Sequence, residues 1–256
     1  MREKLVSAFF RIWYWYVSTA DKNSEVIFMN YGYSKDGHRI NLDAKDEANR
    51  YSAQLYDHVA TGVDVKGKSI LEIGCGRGGG LSYINRYLSP KSVTGLDLCD
   101  KAIDFCSKYY SKEGIAFLQG NAESLAFQDH AFDVVINIES SHRYSRIEKF
   151  LSEVYRVLRP GGFFLFSDFR HKNELEELNN KLEAANLKFI KAEMISTSVV
   201  EALKLSSSER EYLIKKLAPR FLHRLGKQFA ATEGTPTFNK FATNEYEYFF
   251  YILVAG

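Results

Sequence analysis

Two stretches of this 256-residue chain gather residues that could do chemistry. The first is Leu71-Glu72-Ile73-Gly74-Cys75-Gly76-Arg77-Gly78-Gly79, a cluster of glycines directly behind an apolar run. Glycine lets a turning backbone come close to a ligand. Gly74, Gly76 and Gly79 satisfy the spacing of a dinucleotide-binding turn, and Asp97 stands at a suitable distance for a ribose contact. Glu72 weighs against that reading, because a carboxylate two residues before the first glycine repels a pyrophosphate and suits a cation. The second stretch is Glu139-Ser140-Ser141-His142, joined by Asp168 in Phe166-Ser167-Asp168-Phe169. A histidine oriented by a carboxylate is a general base with a pKa near neutrality. His142 and Asp168 are therefore the catalytic candidates. The competing reading of His142 is a hydrogen bond within its own loop.

The elements that must position these groups alternate strand and helix. Apolar runs at residues 69–75, 92–98, 115–118, 132–138 and 163–166 read as strands, and residues 81–87, 102–110 and 147–158 as helices. Ile147, Phe150, Leu151, Val154, Val157 and Leu158 form one helical stripe, which Arg159-Pro160-Gly161-Gly162 stops. Such alternation predicts an α/β fold with a doubly wound parallel sheet and helices on both faces. Beyond it, 174–185 reads as helix, 189–195 as strand, 196–229 as mostly helical and 246–254 as a long aromatic strand. The helical insertion, with N-terminal helices up to about Thr61, is expected to cap the carboxyl edge of the sheet, where such sheets bind ligands. If the strands at residues 132–138 and 163–166 are neighbours, His142 and Asp168 meet above that edge.

Bulk properties narrow the classes. Hydrophobic residues are 45% and charged residues 26%, as in an ordinary soluble domain. A formal net charge of +2 gives no electrostatic reason to expect nucleic acid. Cys75, Cys99 and Cys106 form neither a disulfide framework nor a zinc pattern, so a cytoplasmic location is expected and no metal site. An aromatic run, Phe9-Phe10-Arg11-Ile12-Trp13-Tyr14-Trp15-Tyr16-Val17, is too short to span a bilayer and lacks a cleavage signature. It is expected to cover the core as an amphipathic helix or to touch a membrane surface peripherally.

The ordered motifs resemble those of class I S-adenosylmethionine (SAM) methyltransferases. Glu72-x-Gly74-x-Gly76-x-Gly78 is similar to their signature turn, Gly95-Leu96-Asp97-Leu98 to their ribose-binding strand end, and Asn121-Ala122-Glu123 to their adenine-binding turn, where Asp is more usual than Asn121. Phe132-Asp133-Val134-Val135 and Leu158-Arg159-Pro160-Gly161-Gly162 complete the pattern, with Asp133 read as a capping residue. Over nearly the whole chain the likeness is to the phthiotriolone/phenolphthiotriolone dimycocerosate methyltransferases and to natural-product O-methyltransferases. It includes Glu25 to Tyr33, Ala122-Glu123-Ser124-Leu125 and residues 221–229.

This resemblance implies a Rossmann-like sheet of about seven strands with the last antiparallel. One domain is expected: an N-terminal cap to residue 62, a SAM-binding core at 63–170, and a cap insertion with closing strands to 256. Glu72, Gly74, Cys75, Gly76, Gly78, Asp97, Leu98, Asn121, Ala122, Glu123 and Asn137 are implied to hold SAM, which leaves as S-adenosylhomocysteine. Tyr31 and Tyr33 are implied to close over it, with core packing as their other reading. The implied activity is transfer of a methyl group to a hydroxyl of a lipophilic, lipid- or polyketide-like small molecule, with His142 as base. C-methylation of a sterol- or quinone-like acceptor, and SAM binding without turnover, are the alternatives. The protein is expected to act as a monomer or homodimer.

Overall fold

The computed structural model describes residues 16, 19–21 and 23–256. Most of the N-terminal aromatic run therefore lies outside the described residues. Seven strands form one sheet: β1 (Ser69–Ile73), β2 (Ser92–Asp97), β3 (Ala116–Gln119), β4 (Phe132–Ile138), β5 (Leu158–His171), β6 (Leu187–Met194) and β7 (Tyr246–Ala255). Their order is β3-β2-β1-β4-β5-β7-β6, with β7 antiparallel to both its neighbours. The order reverses between β1 and β4. That opens a crevice at their carboxyl ends, the usual ligand position in such sheets.

Alternating side chains explain why the sheet is buried on both faces. Ile70, Val134, Leu165 and Phe250 belong to one apolar layer, and Leu71, Val135, Phe164 and Phe249 to the other. The predicted stripe of α4 (Ile147–Val157) seats Phe150, Leu151, Val154 and Val157 fully buried in the second layer. Asp133 is structural: it accepts from the Ser69 amide at 2.8 Å and from Arg159 at 2.6 Å, joining β1 to the start of β5. Strand β5 runs further than its apolar core suggests. Antiparallel pairing with β7 carries it from Phe163 to His171, and this extension seats Asp168 above the sheet edge.

Helices α1 (Arg50–Ala60), α2 (Gly79–Tyr87), α3 (Asp100–Tyr109) and α5 (Leu175–Ala184) flank the sheet. Helices α6 (Ser196–Leu205), α7 (Ser207–Leu217) and α8 (His223–Phe229) form the insertion, joined by α9 (Pro236–Ala242). Helix α9 fell between the predicted elements. Thr235 caps it, accepting from the Phe238 amide, and Pro236 opens it, while Phe238 and Phe241 are buried.

Residues 25–34 run between the glycine turn and the insertion. On one side Gly79 N–H donates to the Ile27 carbonyl at 3.1 Å. On the other, the Arg210 guanidinium donates to the carbonyls of Asn30 (3.1 Å) and Tyr31 (3.0 Å), and the Tyr31 hydroxyl to that of Phe229 (3.3 Å).

Candidate active site

The glycine turn after β1 is forced by its surroundings. Gly74 has φ +80°, and a Cβ there would meet Ser140 Oγ at 2.1 Å. Gly76 differs: it also has positive φ, +52°, but a Cβ would meet only Met29 Sδ, at 3.8 Å. A side chain at Gly76 would stand in a cradle that protein leaves open. Cys75 shapes the turn through its backbone, donating its amide to Leu96 and accepting from Gly78, while its thiol is buried. Gly78 begins helix α2 in a left-handed conformation and accepts from the Ser82 amide. Arg77 leaves the turn for the interior, pairing with buried Asp21 at 3.0 Å and lying 3.7 Å from the centre of the Phe105 ring.

Three acceptors converge around this crevice. Glu72 is completely buried; its Oε1 accepts from the Tyr56 hydroxyl at 2.6 Å, and its Oε2 has no donor among the described residues. Burial, helped by Asp97, pushes its carboxyl up to about 8. Asn137, also fully buried, donates to the Ile73 carbonyl at 2.7 Å and to the Tyr144 hydroxyl at 3.1 Å, leaving its Oδ1 without a donor. Asp97 accepts from the amides of Gly76 (2.8 Å) and Cys99 (2.9 Å), one on each oxygen, so each keeps capacity for another donor. Beside it Leu98 is 57% exposed, an apolar surface suited to a flat ring.

Asn121 is exposed and accepts from the Glu123 amide at 2.9 Å, which folds the turn after β3. Ala122 is buried beneath it. The Glu123 carboxylate is engaged elsewhere, holding Ser145 and Arg146 at the entrance to α4.

These features fit SAM. An unmatched buried carboxylate and amide oxygen suit an ammonium group, a carboxylate with spare lone pairs suits ribose hydroxyls, and exposed Leu98 suits adenine.

At the neighbouring strand ends the second group assembles. His142 Nδ1 lies 2.8 Å from Asp168 Oδ1. Asp168, with no exposed surface, also accepts from the Phe169 amide (2.8 Å), the Ser141 hydroxyl (2.6 Å) and the His142 amide (3.1 Å). Arg170 stands 3.3 Å from its other oxygen. Burial alone would raise the Asp168 carboxyl, but His142 and Arg170 hold it well below the ordinary range. The His142 ring lies 4.4 Å from that of Phe169. Burial lowers its pKa below 6.5, against the opposing pull of Asp168. With Nδ1 donating to Asp168, Nε2 is the acceptor nitrogen, and Arg143 Nε donates to it at 3.0 Å.

Glu139 is the site residue that sequence reasoning left unassigned. It accepts from the Tyr31 amide at 2.6 Å and from the Tyr248 hydroxyl at 2.8 Å, and burial pushes it up to about 8. A glutamate closing a buried strand at the carboxyl edge was the available signal. Tyr31 packs against Phe169 and Phe241 in the cap. Tyr33 lies apart from it, stacked on His58 with centroids 4.2 Å apart and buried in the core.

An apolar cavity of about 160 Å³ opens between residues 25–31 and the insertion, lined among others by Val26, Met29, Tyr31, Leu213, Ile214 and Phe229. Arg143, on His142, lies 5.7 Å from the ring centre of Phe229, a residue of the chamber wall, so one side chain stands between the histidine and this chamber. Among the described residues, no group of His, Cys, Asp or Glu could hold a metal ion.

Comparison with known proteins agrees with this geometry. Residues 71–166 match the methyltransferase domain family. The chain is 40% identical to the phthiotriol/phenolphthiotriol dimycocerosates methyltransferase of Mycobacterium tuberculosis over 233 residues, 90% of this chain and 86% of that protein. It is 43% identical to a fatty-acid O-methyltransferase of Mycolicibacterium smegmatis over 210 residues, 82% of this chain and 77% of that one. Its fold resembles geranyl diphosphate C-methyltransferase from Streptomyces coelicolor, solved with S-adenosyl-L-homocysteine (TM-score 0.69, 14% identity, 93% of this chain and 91% of the other). The chain therefore belongs to the SAM-dependent methyltransferases, in the family of the phthiotriol/phenolphthiotriol dimycocerosates enzymes.

Proposed function

We propose that this enzyme methylates an oxygen of a lipophilic small molecule, a hydroxyl in the leading reading, with His142 as general base. The observation that carries it is the His142–Asp168 pair, held beside an apolar chamber at the carboxyl edge. SAM bound at Glu72, Asn137, Asp97 and the glycine turn supplies a methyl group on a positively charged sulfur. The protein's own part is to align and to accept a proton. Asp168 keeps Nδ1 protonated and Nε2 basic, and the lowered pKa leaves His142 neutral at physiological pH. For a hydroxyl to reach Nε2, Arg143 must leave it. Val26, Met29, Leu213 and Ile214 suit an acyl or alkyl chain, and Tyr31 in the wall packs against Phe169, which in turn lies against the base.

Arg143 favours one second reading. A guanidinium against Nε2 is also a seat for a carboxylate. An ionised carboxylate needs no base, and a fatty-acid O-methyltransferase is among the relatives.

Methyl-labelled SAM, incubated with wild type and His142→Ala in a lipid extract, separates these readings. Label in the organic phase, reduced roughly 10²–10⁴-fold by the variant, is expected for a hydroxyl acceptor. Organic label that survives the variant but is released by mild alkali indicates a carboxylate. Label only in the aqueous phase overturns the lipophilic acceptor.

A further inference from the structure

The outer side of the insertion carries a feature that methyl transfer does not use. Residues 211–229 hold five Lys/Arg against one Glu, in a chain whose net charge is only +2. At the corner between α7 and α8 stand Arg220, Phe221 and Arg224. Phe221 is 82% exposed, more than any other large hydrophobic side chain given as exposed among the described residues. Arg220 and Arg224 are exposed, and neither has a carboxylate within ion-pair distance among the described residues. Lys215 and Lys216, in the last turn of α7, stand at the same end but are paired with Glu211 and Glu25.

The corner itself is firmly built. The Leu222 amide donates to Pro219 at 2.8 Å, and His223 Nε2 lies 2.9 Å from the Ala218 carbonyl. Its inner side, Leu217 and Ala218, lines the apolar chamber. One short segment thus presents outward an exposed aromatic ring and two cations without a carboxylate partner among the described residues, and inward a wall of the apolar chamber.

We infer that this corner docks on an anionic lipid bilayer, Phe221 entering the interface and Arg220 and Arg224 meeting lipid phosphates. Aromatic rings beside cations suit that boundary, and each cation near an anionic surface strengthens binding about fivefold. The occupant is an anionic bilayer by chemistry: two exposed cations, within four positions of an exposed ring, match lipid phosphates with an apolar phase directly beneath them. Docking there would bring the chamber wall against the phase in which an apolar acceptor dissolves. That purpose rests on the proposed function; the docking does not.

The test is co-sedimentation of the full chain with vesicles of phosphatidylcholine alone or mixed with phosphatidylglycerol, at low and high salt. Binding to the mixed vesicles only, weakened by salt, is expected. Arg220→Glu with Arg224→Glu should reduce it more than about tenfold, and Phe221→Ser should reduce it independently. SAM affinity of both variants, measured by titration, should equal wild type, since neither change lies near the crevice. Absence of binding to the mixed vesicles overturns the inference, as does binding that neither variant weakens. Either result leaves the methyl-transfer reading intact, because that is read from label transfer.

Discussion

Glu72 and Asp168 are both carboxylates at the carboxyl ends of parallel strands, and both have no exposed surface. Their chemistry is opposite. Asp168 is surrounded by donors: two backbone amides, a hydroxyl, an imidazole and a guanidinium. It stays ionised far below the ordinary range. Glu72 has one hydroxyl partner and one unmatched oxygen, and burial pushes it up to about 8. Burial is common to the two; the number of donors decides which effect wins. The site at Asp168 is complete as folded, whereas the crevice at Glu72 keeps a buried oxygen without a donor among the described residues, which is what the proposed role of holding the cofactor's cation requires.

The largest way to break this contrast is at the complete end. His142→Ala should slow turnover on a hydroxyl acceptor by roughly 10²–10⁴ while leaving SAM affinity unchanged. Asp168→Asn should cost similarly in turnover. It should also lower stability by about 3–5 kcal/mol, because it breaks a buried charge pair with Arg170 and weakens the hydrogen bond to His142. Denaturant titration beside kinetics would detect both effects.

At the other end, Glu72→Gln keeps the shape and removes the charge. SAM affinity should fall roughly tenfold to a hundredfold, the worth of one charge-assisted hydrogen bond. Calorimetric titration in buffers of different ionisation enthalpy sharpens this. Wild type near pH 7 should release a proton on binding SAM, as the cation draws Glu72 into its ionised form, and Glu72→Gln should not.

The same shifts have a consequence for stability. Glu72 and Glu139 hold protons in the folded state up to about 8, while in the unfolded chain they release them near 4.5. Between those values the folded state binds more protons, so stability falls as pH rises. The free protein's Tm should therefore decline from about pH 5 toward pH 8, and Glu72→Gln should flatten the decline. The smallest expected change is at Arg143. Arg143→Met should leave SAM affinity alone and speed or spare transfer to a hydroxyl, but weaken binding of a carboxylate acceptor.

Much of this contrast is legible in the sequence, for reasons that are local. The Phe132–Ile138 run needs no context to read as a strand buried on both faces, and the glycine turn with Glu72 carries its own chemistry. His142 and Asp168 meet because β4 and β5 are neighbours in parallel register, which the alternating pattern implies. What escaped depends on contacts between distant segments. Glu139 acquires its role from Tyr31 and Tyr248, respectively 108 and 109 residues away. The far end of β5 exists because β7 pairs with it, and nothing local in Arg170 or His171 requires a strand. Tyr33 lies only two residues from Tyr31, yet His58 draws its ring into the core. Helix α9 did have local signals in Thr235 and Pro236, but its shortness weakens any periodic pattern.

The central claim is that His142 accepts a proton from the acceptor as the methyl group moves. Single-turnover methyl transfer, followed across pH in wild type and His142→Ala with the acceptor isolated from the organic phase, tests it most directly. The wild-type rate should rise with pH through a single ionisation below 6.5 and then level, and the variant should be slow with that ionisation gone. A variant that keeps the wild-type rate and profile would contradict the assignment of His142 as the base.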